Sequence, residues 1–318
     1  MDHGKVRLTW PNFPPNLELI PEPYLNHDIP PNAPITLIFG DNISALRALA
    51  NKCDRQATLV YVDPPFFTGR QFKHNHHTDD EVIAFDDRWE DFSEYLTYIR
   101  SLILYSRALL HPEGCLVIHV DPRASHYVRV LGDMVFGVDC FASEIIWHYR
   151  KWTSKTPNLQ RKHDVLLRFV RCPTVKPIFN QLYEPLAPST MRLSGGKKMV
   201  SKRAGNVRDK LTISDEDSPG VYMGDVWEMS TIAANANERV GYPTQKPEAL
   251  LERLITLFTN PGDLVVDPTC GSGTTLAVAS RMGRLAIGID SSEIAIRVAR
   301  ERLANLQITP FETSVWSK

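Results

Sequence analysis

The 318-residue chain reads as an α/β protein, with a mostly parallel sheet covered by helices on both faces. Three observations carry that reading. Short apolar runs alternate along the chain with segments of helical periodicity. Several of those runs are apolar throughout, as strands buried on both faces are. Composition is that of an ordinary globular chain, 43% hydrophobic and 23% charged, and no apolar stretch is long enough to span a membrane.

The elements follow in order. The first 33 residues are Pro-rich ("PNFPPN", "PEPY", "DIPPNAP") and read as an extended arm. "PITLIFG" (34–40) is a strand, and "DNISALRALANKC" (41–53) a helix with Asp41 or Asn42 at its N-cap. "TLVYVD" (58–63) is a second strand, followed by a helical stretch over 92–111. "GCLVIHVD" (114–121) is a third strand and 125–137 another helix. "EIIWHY" (144–149) and "DVLLRFVR" (164–171) are strands flanking a loop. Late in the chain come a helix (246–259), the strand and Gly-rich turn "DLVVDPTCGSGTT" (263–275), a helix (276–283), the strand "RLAIGID" (284–290) and a last helix (291–306).

Charge is unevenly spread behind a formal net of −1. Residues 150–210 hold 15 Lys and Arg against three acids, while the rest of the chain holds 21 against 34. Aromatic residues interleave with that basic segment, and "SGGKKMVSKR" (194–203) concentrates it. Clustered cations draw phosphates by counterion release, and aromatic rings stack on bases, so the segment points to nucleic acid. Cys53, Cys115, Cys140, Cys172 and Cys270 are scattered, with no C-x-x-C pair. That pattern predicts reduced thiols, and with no secretory signal at the start it predicts a cytoplasmic protein. "HNHH" (74–77) lacks an acid or cysteine at ligand spacing, so a polar loop is expected there and no metal is assigned.

The Gly-rich turn bears on chemistry. Gly271 and Gly273 stand between a strand and a helix, where free N–H groups meet a closely approaching ligand. No Gly-Lys-Ser/Thr is present, which disfavours ATP, and Leu276 stands where a dinucleotide fingerprint wants its third glycine. A ligand with an anionic end and a ribose remains. Asp290, ending its strand, suits both ribose hydroxyls, and Asp267 can accept from a cationic amine.

Taken with "DPPF" (63–66), these motifs resemble the amino-group DNA methyltransferases that use S-adenosylmethionine, of restriction-modification type. "DPPF" is similar to the family's catalytic D/N/S-P-P-Y/F motif, "DPTCGSGTT" to its cofactor loop, and "YPTQKP" (242–247) to its H-P-T-x-K-P element. "FGDN" (39–42) and "EIIWHYRKW" (144–152) also have counterparts, so the resemblance spans about 35–306. With the catalytic motif first, a basic insert next and the cofactor loop last, the order is that of the beta class. The chain departs from the pattern at Tyr242 (usually His), Thr269 (usually Phe) and Phe67 (often Asn).

The resemblance implies a Rossmann-like methyltransferase fold with a mostly parallel seven-stranded sheet, a circularly permuted motif order and an inserted target-recognition region. It divides the chain into the arm (1–33), a catalytic half (34–150), a basic insert (151–240) and a cofactor-binding half (241–318). Asp63, Pro64, Pro65 and Phe66 form the implied catalytic set. An exocyclic amine is a poor nucleophile because its lone pair is delocalised into the ring. Asp63 and the Pro64 carbonyl can each accept an amine hydrogen, the prolines fix that geometry, and Phe66 offers a face to a flipped-out base. Asp41, Lys246, Asp267, Thr269, Cys270, Gly271, Gly273, Thr274 and Asp290 are the implied cofactor residues. Lys151, Lys155, Arg161, Lys162, Lys197, Lys198, Lys202 and Arg203 are candidate phosphate contacts. Trp147 and Tyr149 lie either near the flipped base or in the core. Asp in the first motif position favours adenine N6 over cytosine N4. Duplex DNA is the implied substrate, with a cognate restriction endonuclease and a homodimer as further implied partners. Two other readings are a DNA-binding protein with an inactive fold of this type, and methylation of RNA or a protein glutamine.

Overall fold

A computed structural model of the chain describes residues 24–30, 33–52, 56–74, 82–151, 155, 157–204 and 207–316. Most of the arm expected over 1–33 lies outside these, as do three of the four "HNHH" positions. Two compact units emerge: 1–179 with 225–318, and 180–224.

The larger unit opens with β1 (Tyr24–Leu25), β2 (Ile35–Phe39), α1 (Asn42–Lys52), β3 (Ala57–Val62) and a hairpin of β4 (Arg70–His74) and β5 (Val82–Asp87). It continues with α2 (Phe92–Leu109), β6 (Leu110–Val120), α3 (Pro122–Phe136), β7 (Phe141–His148) and β8 (His163–Val170). The smaller unit holds β9 (Tyr183–Glu184), α4 (Pro188–Ser194), β10 (Lys197–Ala204), β11 (Val207–Asp217) and β12 (Val221–Tyr222). The larger unit then resumes with β13 (Val226–Glu228), α5 (Glu248–Phe258), β14 (Leu264–Asp267), α6 (Thr274–Arg281), β15 (Leu285–Asp290), α7 (Glu293–Asn305) and β16 (Phe311–Trp316).

The main sheet runs β1-β16-β2-β15-β14-β3-β6-β8-β7-β13. All strands but β1 and β8 point the same way. The sheet has ten strands, counting the two-residue β1, and not the seven expected. The seven strands legible as apolar runs form its contiguous middle. β1, β16 and β13 extend it at the two edges, where short or half-exposed strands carry little apolar signal. The central strands are buried along their length: every residue of β3 and β14 is buried.

Helix placement follows from chain direction. From β2 through α1 to β3, and from β3 through α2 to β6, the chain steps one way across the sheet. From β14 through α6 to β15, and from there through α7 to β16, it steps the other way. Right-handed crossovers in opposite directions put their helices on opposite faces. Accordingly α1, α2 and α3 pack in succession on one face, and α5, α6 and α7 on the other. Asp91 caps α2 by accepting from the N–H groups of Ser93 (2.8 Å) and Glu94 (2.9 Å), and α2 buries Tyr95, Leu96, Ile99, Leu102, Ile103 and Leu109 along one stripe. The direction reverses between β14 and β3, which are neighbours. That crevice, beyond the carboxyl ends of the strands, is where open α/β sheets bind ligands.

In the smaller unit β9 pairs with β12, and β10 with β11, both antiparallel. The hairpin sets Lys197 opposite Asp217. Among the described residues no helix is long and apolar enough to cross a membrane.

Candidate active site

Asp63, Asp267, Asp290 and Asp41 all lie at or just beyond the carboxyl ends of neighbouring strands. The loop after β3 begins with Asp63, whose N–H donates to Thr269 Oγ1 at 3.0 Å. Thr269 thus ties the two motif loops together, a task the Phe usual at that position has no hydroxyl to perform. Lys246 donates to Asp63 Oδ2 and to the Thr244 carbonyl (3.3 Å), and its ammonium lies 5.2 Å from the centre of the Phe66 ring. Asp63 Oδ1 is buried and has no hydrogen-bond partner. The resemblance set Lys246 against the cofactor; here it holds the Asp63 carboxylate.

The rest of this loop hangs on one side chain. Asp87, at the end of β5 and 1% exposed, accepts from the N–H groups of Phe66 (3.2 Å), Phe67 (3.0 Å) and Thr68 (2.8 Å). It also accepts from the Thr68 hydroxyl (2.6 Å) and the Trp89 indole (3.0 Å). Phe67 has φ 55°, a left-handed conformation that suits Asn or Gly and costs an aromatic residue about 1–2 kcal/mol. Its ring packs against Phe92 (5.1 Å) and Tyr95 (5.5 Å), which offsets part of that cost. Sequence reasoning missed Asp87, because its role depends on where a hairpin ends and no local pattern marks it.

The cofactor loop is held by its own turn and by the strand and helix beside it. Asp267 Oδ1 accepts from Thr269 N–H (3.0 Å) and Oδ2 from the Thr275 hydroxyl (2.5 Å). Asp290 accepts from Gly271 N–H (2.9 Å) and Ser292 N–H (2.9 Å). Gly271 has φ 49°, and a Cβ there would meet the Tyr242 ring at 3.2 Å. Burial pushes the Asp267 carboxyl up to about 7 and the Asp290 carboxyl up to about 6.

These loops enclose a cavity of about 690 Å³, within the range of small-molecule sites. Asp41, Asp63, Pro64, Pro65, Phe66, Lys246, Asp267, Thr269, Cys270, Gly271, Thr274 and Asp290 all line it, together with Asp86, Asp87 and Glu293. Two expectations change. Gly273 is not in the lining; it starts α6, where a Cβ would lie 2.9 Å from Ala299 Cβ on α7, so it serves helix packing. The Thr274 hydroxyl accepts from buried Arg302 (2.9 Å), which also donates to Glu248 (2.5 Å), so it is committed to the fold. Seven carboxylates line the cavity against one Lys or Arg, Lys246, among the described residues. That excess of negative charge suits S-adenosylmethionine, whose sulfonium and ammonium are both cationic.

Behind Asp63 stands a buried polar cluster that the motifs did not announce. His119, fully buried on β6, has Nδ1 2.9 Å from the Tyr61 hydroxyl and 3.8 Å from Asp63 Oδ1. Its Nε2 lies 3.3 Å from Asp164 Oδ2, and Asp164 Oδ1 accepts from the Tyr149 hydroxyl at 2.9 Å. Trp147 and Tyr149 are buried beside this cluster and outside the cavity lining, so they are core aromatics.

The candidate DNA contacts fare unevenly. Lys151 and Lys155 are exposed, and Lys162 is half-buried. Arg161 is bonded to Asp121. Within the smaller unit Lys197 donates to Asp217 (2.7 Å) and Lys198 to Glu216 (3.2 Å), so neither is a free cation. Lys202 and Arg203 sit on β10, and their side chains lie outside the described set.

Comparison with known proteins agrees with this geometry. The N6/N4 methyltransferase family model, described as DNA methylase, matches residues 57–301. The type II methyltransferase M.HpaI of Haemophilus parainfluenzae is 30% identical over 260 residues, covering 82% of this chain and 72% of that protein. The type II methyltransferase M.EcaI of Enterobacter cloacae is 28% identical over 326 residues, with 85% and 70% covered. Among solved structures, the cytosine-N4-specific PvuII DNA methyltransferase aligns with TM-score 0.55 at 17% identity over 92% of each chain. The M1.HpyAVI–SAM complex aligns with TM-score 0.52 at 20% identity, covering 85% of this chain and 98% of that one. Both support the Rossmann-like fold. The chain belongs to the N6/N4 DNA methylase family and is an S-adenosylmethionine-dependent DNA methyltransferase.

Proposed function

We propose that the chain methylates the exocyclic N6 of adenine, in a base flipped out of duplex DNA at a specific site. The observation that carries this reading is Asp63 Oδ1: a buried acceptor without a donor, at the mouth of the strand crevice and on a cavity wall. An unpaired buried acceptor costs about 1–3 kcal/mol, so it gains by meeting an N–H donor. Lys246 supports this reading by example, with its ammonium on the other oxygen, Oδ2, and beside the Phe66 ring.

S-adenosylmethionine, when bound, supplies a methyl group made electrophilic by its sulfonium. The chain's own residues prepare the nucleophile. Asp63 Oδ1 accepts one amine hydrogen, and the Pro64 carbonyl accepts the other. Two fixed acceptors draw the nitrogen toward tetrahedral geometry and free its lone pair for in-line attack. Phe66 takes the face of the base and returns part of the stacking lost on flipping, worth a few kcal/mol. Asp87 holds the loop so that these groups keep their positions between turnovers. Asp290 is assigned to the ribose and Asp267 to the cofactor's amine.

Adenine is preferred to cytosine because Asp, and not Ser, stands at the first motif position. Phosphate contacts are assigned to Lys151, Lys155 and Lys162, with the smaller unit reading the target, and a restriction endonuclease of the same site fits the enzyme's role. The test is mass spectrometry of nucleosides from methylation-free host DNA after expression of this chain. N6-methyladenine is expected; N4-methylcytosine alone overturns the assignment.

A further inference from the structure

We propose that His119, backed by Asp164, is the proton acceptor of the methyl-transfer reaction. The inference rests on the assignment of Asp63 as acceptor for the target amine.

The reaction leaves a proton to be placed. As the N–C bond forms, the bond from the methyl carbon to sulfur breaks and its electron pair stays on sulfur. The nitrogen's lone pair has been spent, so the nitrogen is cationic until one N–H proton leaves and its bonding pair returns to nitrogen. Asp63 Oδ1 receives that proton. It is a poor place to keep it, because Lys246 already sits on Oδ2 of the same carboxylate. His119 Nδ1, 3.8 Å from Oδ1, is within reach of a small side-chain rotation. Its far nitrogen faces the Asp164 carboxylate at 3.3 Å. The ring thus lies between two carboxylates, one at each nitrogen, and each can accept a ring N–H.

The surroundings suit a store of one proton. From β3, the Tyr61 hydroxyl sits 2.9 Å from Nδ1. It donates to the neutral ring, and by rotating its hydrogen it accepts from the protonated one. From β7, Trp147 covers the ring at 5.5 Å, and Tyr149 donates to Asp164. From β8 comes Asp164, and from the loop after β3 the Phe66 ring at 5.6 Å. Lys246 acts on both carboxylates from the 242–247 stretch. The outer end of the chain is Lys151, 3.4 Å from the Tyr149 hydroxyl and exposed to solvent. No element of the catalytic or cofactor motifs contains His119 or Asp164, and the fold alone brings them beneath Asp63.

The experiment is a pH series of single-turnover methyl transfer by the full chain. Unmethylated genomic DNA from a methylation-free host is the substrate, with saturating labelled cofactor so that titration of Asp267 and Asp290 in binding does not enter. The wild-type rate is expected to rise with pH through one inflection. His119→Asn should slow the plateau about 100-fold and lose the inflection. Asp164→Asn should move the inflection to lower pH, because the ring loses a facing carboxylate. An inflection that persists in His119→Asn, or that stays in place in Asp164→Asn, overturns the proposal. If His119→Asn does not fold, Asp164→Asn decides alone. Turnover by Asp63→Ala would instead overturn the assignment of Asp63 itself, whatever His119 does.

Discussion

The two loops that meet at the cavity are held in different ways. The cofactor loop, 267–273, is secured by its own turn and by the elements that adjoin it: Asp267 accepts from Thr269 and from Thr275 just beyond the loop, and Asp290 and the Ile289 carbonyl on the neighbouring strand accept from Gly271 and Cys270. The acceptor loop, 63–68, has almost no internal support. Asp87 takes three of its N–H groups, Thr269 takes a fourth, and Lys246 takes the carboxylate. Geometry set by the loop and the core elements next to it suits a site that takes a small molecule. Geometry imposed from outside suits a loop that must keep a carboxylate and a ring in place while a base arrives and leaves. The contrast also implies different fragility: the acceptor loop should fail at single distant residues.

The largest effect expected from this contrast is at Asp87. Asp87→Ala strands three backbone donors and an indole in a buried place, and should cost about 3 kcal/mol of stability. Methyl transfer should fall about 100-fold while cofactor affinity changes little. Equal losses in both, by rate assay and calorimetry, would mean that the loops are one unit. Asp290→Ala comes next. It should weaken S-adenosylmethionine binding by about 1.5–3 kcal/mol, while DNA binding without cofactor holds. Unchanged cofactor affinity would move the ribose elsewhere.

Asp267 offers a pH test of the cofactor loop. Its carboxyl is pushed up to about 7 by burial. A group raised in the folded state stabilises the fold below its unfolded value and loses that stabilisation as pH rises through the folded value, here between about 4 and about 7. Asp267→Asn stays neutral throughout. Without cofactor it should therefore gain stability over wild type, on the order of 2 kcal/mol, between about pH 5 and about pH 8. Thermal melts that show wild type gaining instead would mean that its hydrogen bonds outweigh burial. The smallest effect is at Phe67. Phe67→Asn relieves the left-handed backbone but gives up ring packing, so stability should stay within about 1 kcal/mol. A larger loss would make the Phe67 ring a main support of the acceptor loop.

Legibility in the sequence followed the same divide. Six of the seven middle strands read as apolar runs because both their faces are largely buried, β7 by its apolar and aromatic residues, and the cofactor loop was legible because its carboxylate and glycines fall in one short stretch. β13 and β16 were not, since an edge strand is recognised by what it pairs with. Asp87, His119 and Asp164 carry no local signal: each is a polar residue in a strand, given meaning by residues up to 58 positions away. The basic segment misled for a related reason. Its window closed at residue 210, just before Asp215, Glu216 and Asp217, and the β10–β11 hairpin folds Glu216 and Asp217 onto Lys198 and Lys197.

The central claim is that Asp63 meets the target amine and takes no part in holding the cofactor. Asp63→Ala tests it directly, with methyl incorporation into unmethylated DNA and cofactor affinity measured on the same preparation. Methyl transfer should vanish while S-adenosylmethionine still binds within a few-fold of wild type. Near-normal methyl transfer, or loss of cofactor binding in parallel, would contradict it.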